Sequence, residues 1–364
     1  MRYARMPIEI ESPEELGYDS IQFNLSESSI TDQRLSDLNL HIPDLTLLYN
    51  EHRGSPTLRA LVAEDAHNLS AEDVLITHGA AGALFIVATS LLTPADHLIV
   101  VRPNYATNLE TPRAIGCEIT CIDLAFEDGF ALDLNAVRRA VQPNTKLISV
   151  TCPHNPTGVM LSEGQLRTLA SIARDHGIQL LVDETYRDLS MDGMLPIAAS
   201  LGNEVISVSS LSKAYGVPGI RLGWIITADQ DLQERFLAAK EQISICGSVV
   251  NEWIGEQILR KRAAILPPRL DEMRQRRQLV ADWMSQESRL EWVRPSGGVV
   301  CFPRMKETAV TPQKFYQQLA NFGTYVGPGH WFEMSDRYFR LGFGWPSLQE
   351  LEKGLEGISN ALPS

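Results

Sequence analysis

Lys213 lies in the run Ser209-Ser210-Leu211-Ser212-Lys213-Ala214-Tyr215-Gly216-Val217-Pro218-Gly219-Ile220-Arg221-Leu222-Gly223-Trp224, with Arg221 eight residues beyond it. A lysine attacks a carbonyl when a partly desolvated pocket disfavours its ammonium form. By itself Lys213 reads equally well as a solvated surface charge. Two further segments change that balance. Asn155 stands in Cys152-Pro153-His154-Asn155-Pro156-Thr157-Gly158, and Asp183 opens Asp183-Glu184-Thr185-Tyr186. An amide, a buried-type carboxylate, an amine and a guanidinium, in this order along the chain, fit a lysine that holds an aldehyde cofactor.

These side chains need a scaffold that brings them to one edge. Val205-Ile206-Ser207-Val208-Ser209 reads as a short buried strand before Lys213, Lys146 to Thr151 as a strand before Asn155, and Ile178 to Val182 as a strand before Asp183. In open α/β sheets ligands collect beyond the carboxyl ends of strands, which is where all three residues fall. The two prolines and the glycine around Asn155 fix a rim turn that presents its amide. Upstream, Thr77-His78-Gly79-Ala80-Ala81-Gly82-Ala83-Leu84-Phe85 is a small-residue turn opening an apolar helix. A helix N-terminus offers unpaired N–H groups and a favourable dipole to an anion, so the backbone of Gly79, Ala80 and Ala81 is expected to hold a phosphate. The alternative is an ordinary strand-to-helix turn. His78 is expected to cap the turn rather than to perform chemistry.

Asn155 in HNPTG, Asp183 and Tyr186 in DETY, Lys213 in SLSK and Arg221 in GIRLGW resemble the fold-type I pyridoxal-phosphate (PLP) enzymes, the aminotransferase class I/II family, with aspartate-aminotransferase-like spacing. The match runs from about Leu47 to Arg340. It implies an α/β fold: a large domain with a mostly parallel sheet flanked by helices, and a smaller α+β domain at the C-terminal end. By this resemblance Asp183 meets the pyridine nitrogen of PLP, where a buried carboxylate keeps that nitrogen protonated. Asn155 and Tyr186 donate to the phenolic oxygen, and Ser210, Ser212 and Arg221 complete the phosphate cup. Lys213 bonds to the cofactor aldehyde, is displaced by the substrate amine and then moves the Cα proton. Tyr105, in Arg102-Pro103-Asn104-Tyr105, stacks on the ring or is a packed rim aromatic. Arg340, in Tyr338-Phe339-Arg340-Leu341-Gly342-Phe343, binds the substrate α-carboxylate with its planar fork or is a surface arginine. Tyr49 is followed by a segment like the one that reaches the neighbouring subunit's phosphate, so a homodimer with shared sites is implied. His52 and Arg53 lie near that phosphate or begin a solvated helix.

Length and composition agree. At 364 residues the chain is long for one core, and the divisions expected are 1–45 as an N-terminal segment shared with the small domain and a lid, 46–251 as the PLP-binding domain and 252–364 as the small domain. With 44% apolar residues it can bury a full core, and 32 basic against 45 acidic residues give −13, which argues against nucleic acid or anionic membrane as partner. No stretch has the length of a membrane span and the first residues lack the apolar core of a secretion signal, so a cytoplasmic location is expected. Five cysteines without a Cys-x-x-Cys pair fit reduced thiols. Cys117 and Cys121 fall in a strand-like stretch unsuited to a metal pair, Cys152 and Cys246 are candidates for the cofactor's surroundings, and no metal site is expected.

The resemblance is least complete near the N-terminus. Many relatives carry a glycine and a proline after the first strand, whereas this chain reads Phe23-Asn24-Leu25-Ser26-Glu27-Ser28-Ser29-Ile30. Glu27, with Glu9 or Glu11 on an N-terminal lid, is expected to meet a cationic substrate tail, the alternative being a solvated turn carboxylate. Three functions stay open at this level. One is an aminotransferase, here for a basic, arginine-like amino acid. The second is a lyase or cyclase resembling the capreomycidine-synthase type, which eliminates hydroxyl from a hydroxylated arginine and closes a guanidine ring. The third is a PLP-fold regulator without turnover, against which stand Lys213, Asp183, Asn155 and Arg340. Tyr215 is left as either a proton shuttle or a packing residue.

Overall fold

The computed structural model describes residues 1–66, 68–306 and 310–363. Its centre is a seven-stranded sheet in the order 74–77, 223–226, 205–210, 179–183, 145–151, 97–102, 118–123. Neighbours are parallel except where 223–226 runs against both 74–77 and 205–210. The strands Val74–Thr77, Thr145–Thr151 and Val205–Ser210 are nearly buried throughout, as expected of a sheet covered on both faces. The register aligns Thr151 with Asp183 and Asp183 with Val208. The carboxyl ends of the three strands that lead to Asn155, Asp183 and Lys213 therefore share one edge.

Helices cover the faces for local reasons. Glu163–His176 begins at Ser162, whose hydroxyl and Gln165 make a reciprocal capping box, and ends at Gly177 in the left-handed region. It buries Leu166, Leu169, Ala170, Ile172 and Ala173 against the sheet. Gly79–Leu91 buries Ala83, Leu84, Ile86, Val87 and Ala88 on the other face.

The C-terminal part combines helices with short strands. Its longest helix, Arg262–Gln286, carries Pro267 and Pro268 inside it. Two of its short strands are Val300–Cys301 and Phe339–Gly342. Both belong to a three-stranded antiparallel sheet completed by Gly327–Pro328. Phe23–Asn24 pairs in parallel with Thr324–Tyr325, so the N-terminal segment is stitched to the C-terminal part by backbone bonds. Residues 7–20 form two one-turn helices and a 3₁₀ turn over the edge where the strands of the large sheet end. No helix among the described residues is long and apolar enough to cross a membrane.

Candidate active site

A cavity of about 540 Å³ opens at that edge, lined by Asn155, Asp183, Tyr186, Lys213 and Arg340 among others. Residues as distant in sequence as Asn155 and Arg340 meet there because three strand ends, one helix start and the strand Phe339–Gly342 converge.

Asp183 ends its strand and is 5% exposed. Its Oδ1 accepts from the Thr185 backbone N–H at 3.1 Å and from the Thr185 hydroxyl at 2.6 Å. Burial pushes the carboxyl pKa up, against the pull of Thr185, Asn108 and Lys213. Asn108 is itself fixed by Asn104, whose Oδ1 also accepts from the Thr151 hydroxyl at 3.2 Å. Next along the chain, Tyr186 is 3% exposed and its hydroxyl is buried with no partner. A buried hydroxyl left unpaired is costly. Lys213 Nζ donates to Ser28 Oγ at 3.0 Å.

The helix Gly79–Leu91 starts at His78, which occupies the cap position without a side-chain cap bond and instead contacts the Ser244 hydroxyl at 3.3 Å. Its first N–H groups are thus left without a side-chain cap, and Ala80 and Ala81 line the cavity with Ser210, Ser212 and Arg221. Arg221 takes a left-handed φ of 50° and donates from Nη1 to the Pro218 carbonyl at 2.8 Å. That places Nη2 2.6 Å from where a side chain on Gly79 would begin. Gly223 is needed for the same approach, since a Cβ there would lie 2.5 Å from the Gly79 carbonyl carbon. A guanidinium and the positive end of a helix converge, an arrangement that an anion between them relieves.

Arg340 is 5% exposed, not a surface arginine. Its Nη1 donates to Asn155 Oδ1 at 3.2 Å and its Nη2 to the Ser26 carbonyl at 2.7 Å, while Nε is buried without a partner. The guanidinium also lies 5.2 Å from the Phe332 ring centre. Burial lowers its pKa, and Tyr186 and Glu27 oppose this. Tyr105 lines the cavity, its hydroxyl 3.3 Å from Glu9 Oε1, and burial with Glu9 nearby pushes its pKa to about 12.

The rim is acidic. Glu9, Glu14, Glu27 and Asp32 all line it. Glu27 accepts from the Tyr18 hydroxyl at 3.0 Å; Tyr18 stacks on Trp345 with ring centres 5.8 Å apart, and the Trp345 indole donates to Asp32 at 3.0 Å.

The expectation for Glu11 is corrected, and several other named residues stand outside this cavity. Glu11 does not face the cavity: its carboxylate accepts from the Trp331 indole at 2.7 Å and meets His330 at 2.8 Å, tying the N-terminal segment down. Cys152 packs in the apolar layer behind the sheet and Cys246 lies by Lys240, and neither lines the cavity. His52 and Arg53 pair with Glu241 and Glu234 on the helix Gln230–Ser244, away from the cavity lining. Tyr215 donates to Asp188 at 2.8 Å and packs at 1% exposure. Tyr49 is 80% exposed and outside the cavity of its own chain. Sequence reasoning missed Ser28, Asn108, Thr185, Tyr18 and Trp345. Of these only Thr185 carried a local signal, an Asx-type turn two residues after an aspartate.

The sequence model of the class I and II aminotransferases matches residues 25–358. The chain belongs to the class I and II aminotransferase family. Among relatives of this aminotransferase-family chain, capreomycidine synthase of Streptomyces vinaceus is 33% identical over 85% of this chain and 79% of its own. An arginine–pyruvate transaminase of Pseudomonas aeruginosa is 30% identical over 74% and 71%. The crystal structure of a PLP-dependent aminotransferase from Streptococcus suis superposes with a TM-score of 0.91 at 28% identity, covering 99% of this chain and 98% of that one. The fold is the type I PLP-transferase fold and the cofactor is pyridoxal phosphate. The residues present fit it: an unpaired Tyr186 hydroxyl, a buried carboxylate that a cation would stabilise, and a cationic cup at an uncapped helix start.

Proposed function

We propose that this PLP-dependent enzyme labilises the Cα–H bond of an α-amino acid with a cationic, arginine-like side chain and transfers its amine to a 2-oxo acid. The observation that carries this reading is one cavity with two opposite charge characters: the buried Arg340 with an unpaired Nε, and the carboxylates of Glu27 and Glu9.

Pyridoxal phosphate, when bound, supplies an electron sink for the bond pair at Cα. The N–H groups of Gly79, Ala80 and Ala81, with Ser210, Ser212 and Arg221, would hold its phosphate. Asp183, kept in place by Thr185 and Asn108, would hold a proton on its pyridine nitrogen. Asn155 and Tyr186 would donate to its phenolic oxygen, and Tyr105 would cover its ring face. Lys213 would anchor it through the amine, and the same amine, when free, would take the Cα proton of the amino acid. Arg340 grips the α-carboxylate and fixes which Cα substituent faces Lys213. Glu27 and Glu9 accept hydrogen bonds from the cationic tail. Tyr49 reaches the phosphate of a partner subunit in a homodimer, which accounts for its exposure in the single chain. The division at 1–45, 46–251 and 252–364 puts the lid and Arg340 outside the PLP-binding domain.

The similarity to capreomycidine synthase supports a second reading, an eliminating lyase or cyclase acting on a hydroxylated arginine. The PLP-loaded protein mixed with arginine, hydroxylated arginines and common amino acids, without a 2-oxo acid, separates the two. One equivalent of keto product per site followed by arrest means an aminotransferase. Continuous loss of water means an eliminating enzyme, and no reaction with any of them overturns both.

A further inference from the structure

The turn that departs from its relatives holds a second group besides Glu27. Ser28 is 6% exposed, lines the cavity and presents Oγ 3.0 Å from Lys213 Nζ, although the two are 185 residues apart in sequence. The contact is built from both sides. The Ile30 N–H donates to the Lys213 carbonyl at 3.2 Å and the Gln33 N–H to the Gly216 carbonyl at 2.7 Å, so the turn is registered on the lysine loop by its own backbone. From the other side, Gly342 N–H donates to the Leu25 carbonyl at 2.7 Å and Arg340 Nη2 to the Ser26 carbonyl. A Cβ on Gly342 would fall 1.7 Å from the Glu27 carbonyl oxygen, which shows how closely the turn is pressed to that strand. Ser26 is in turn tied through its N–H and hydroxyl to Asn24 at 3.1 and 2.8 Å. The Ser28 hydroxyl is therefore wedged between the strand that carries Arg340 and the loop that carries Lys213.

A neutral lysine amine has two N–H bonds and one lone pair on a four-carbon stem with large rotational freedom. Its lone pair is useful only when it faces the carbon it must attack or the proton it must take. An acceptor fixed at hydrogen-bond distance takes up one N–H and thereby restricts rotation about the Cε–Nζ bond. Ser210 Oγ accepts from the Ser212 N–H at 3.4 Å and is thereby engaged within its own loop. Tyr215, two residues from the lysine, has its hydroxyl committed to Asp188.

We propose that Ser28 is a positioning residue for Lys213: its hydroxyl holds one N–H of the amine and directs the lone pair into the cavity. The role in catalysis rests on the reading of Lys213 as imine former and base. Ser28 acts through the lysine and needs no contact with substrate, so its effect falls on every amino acid alike.

The test uses the full-length protein stripped of cofactor and then reloaded, as wild type, Ser28→Ala, Ser28→Cys and Ser28→Thr. Two rates are read: capture of pyridoxal phosphate by Lys213, followed by absorbance with the link located by borohydride reduction and peptide mass, and washout of deuterium from the Cα of the best substrate. Loss of one well-made hydrogen bond corresponds to about tenfold in each rate. The expected result is about tenfold slower capture and washout in Ser28→Ala and Ser28→Cys, with KM unchanged, and recovery to near wild type in Ser28→Thr. Rates within twofold of wild type in the alanine variant overturn the proposal, and so does a threonine variant as slow as the alanine one. If the alanine variant does not fold, the cysteine variant decides by the same thresholds. Wild-type protein that captures the cofactor on Lys213 but washes out no amino acid would overturn the proposed function instead, and the capture rates would still judge Ser28.

Discussion

Asp183, Tyr186 and Arg340 are each 5% exposed or less, whereas Tyr18 at the rim is 43% exposed and Glu9 is exposed. The buried group sits at strand ends and on a core strand, held by short local bonds such as those from Thr185 to Asp183. The rim is carried by one-turn helices and turns, and its polar contacts join distant segments, as Tyr18 does Glu27 and Trp345 does Asp32. In the floor, low dielectric makes each charge and hydrogen bond strong and each loss severe. At the rim, water screens the carboxylates, so in the proposed function they are suited to discriminate between side chains rather than to bear the chemistry. The difference teaches that burial divides the cavity into a buried floor and a wetter rim, and the proposed function assigns reaction to the first and selectivity to the second.

The separation can be broken at the floor first. Lys213→Ala should slow Cα deuterium washout about 1000-fold, the upper part of what a positioned acid–base group contributes, while pyridoxal phosphate still binds by dialysis assay. Asp183→Asn should lower kcat about 100-fold with KM little changed, as expected when a buried electrostatic partner of the reacting system is neutralised; steady-state kinetics with each amino acid would show an equal loss for all. Arg340→Lys removes the planar fork, and KM for the amino acid should rise roughly 30-fold, equivalent to about 2 kcal/mol.

The rim should respond more weakly and selectively. Glu27→Gln should lower the ratio of kcat/KM for basic over neutral amino acids about fivefold, the scale of one partly exposed ion pair. An unchanged ratio removes Glu27 from recognition, and a loss of kcat as deep as that of Asp183→Asn would erase the division between floor and rim. The smallest effect concerns the tie of the N-terminal segment. Burial lowers the pKa of His330, but its hydrogen bonds to Glu11 and Asp336 outweigh this and raise it above the ordinary 6.5. A histidine whose folded pKa is raised stabilises the fold fully below the unfolded value and loses that contribution as pH rises through the folded one. His330→Gln should therefore lower the melting temperature below pH 6.5 by at most ~2 °C and converge with wild type at higher pH. A constant gap across pH would show that protonation of His330 is not what fastens the segment.

Much of the floor was legible in the sequence because each residue follows an apolar strand directly, and parallel strands end at one edge. Lys213, Asn155 and Asp183 are each placed by the strand before them, and Gly79 by the helix it opens. Arg340 was legible as one charge among Phe339, Leu341 and Phe343, though only packing decided that it is buried. Glu9, Glu11 and Glu27 looked alike as N-terminal acids, yet Glu9 and Glu27 reach the cavity and Glu11 is spent on His330 and Trp331.

By itself the sequence determined the class of chemistry, through residue types fixed at the ends of strands whose periodicity it also carries. Only the tertiary structure decided which hydroxyl meets Lys213 and what surrounds Glu27, because Ser28 with Lys213 and Tyr18 with Trp345 are joined across long stretches of chain. Local pattern records the face a side chain occupies. It holds no record of which distant turn is pressed against that face, since that is set by the packing of the N-terminal segment on the C-terminal sheet.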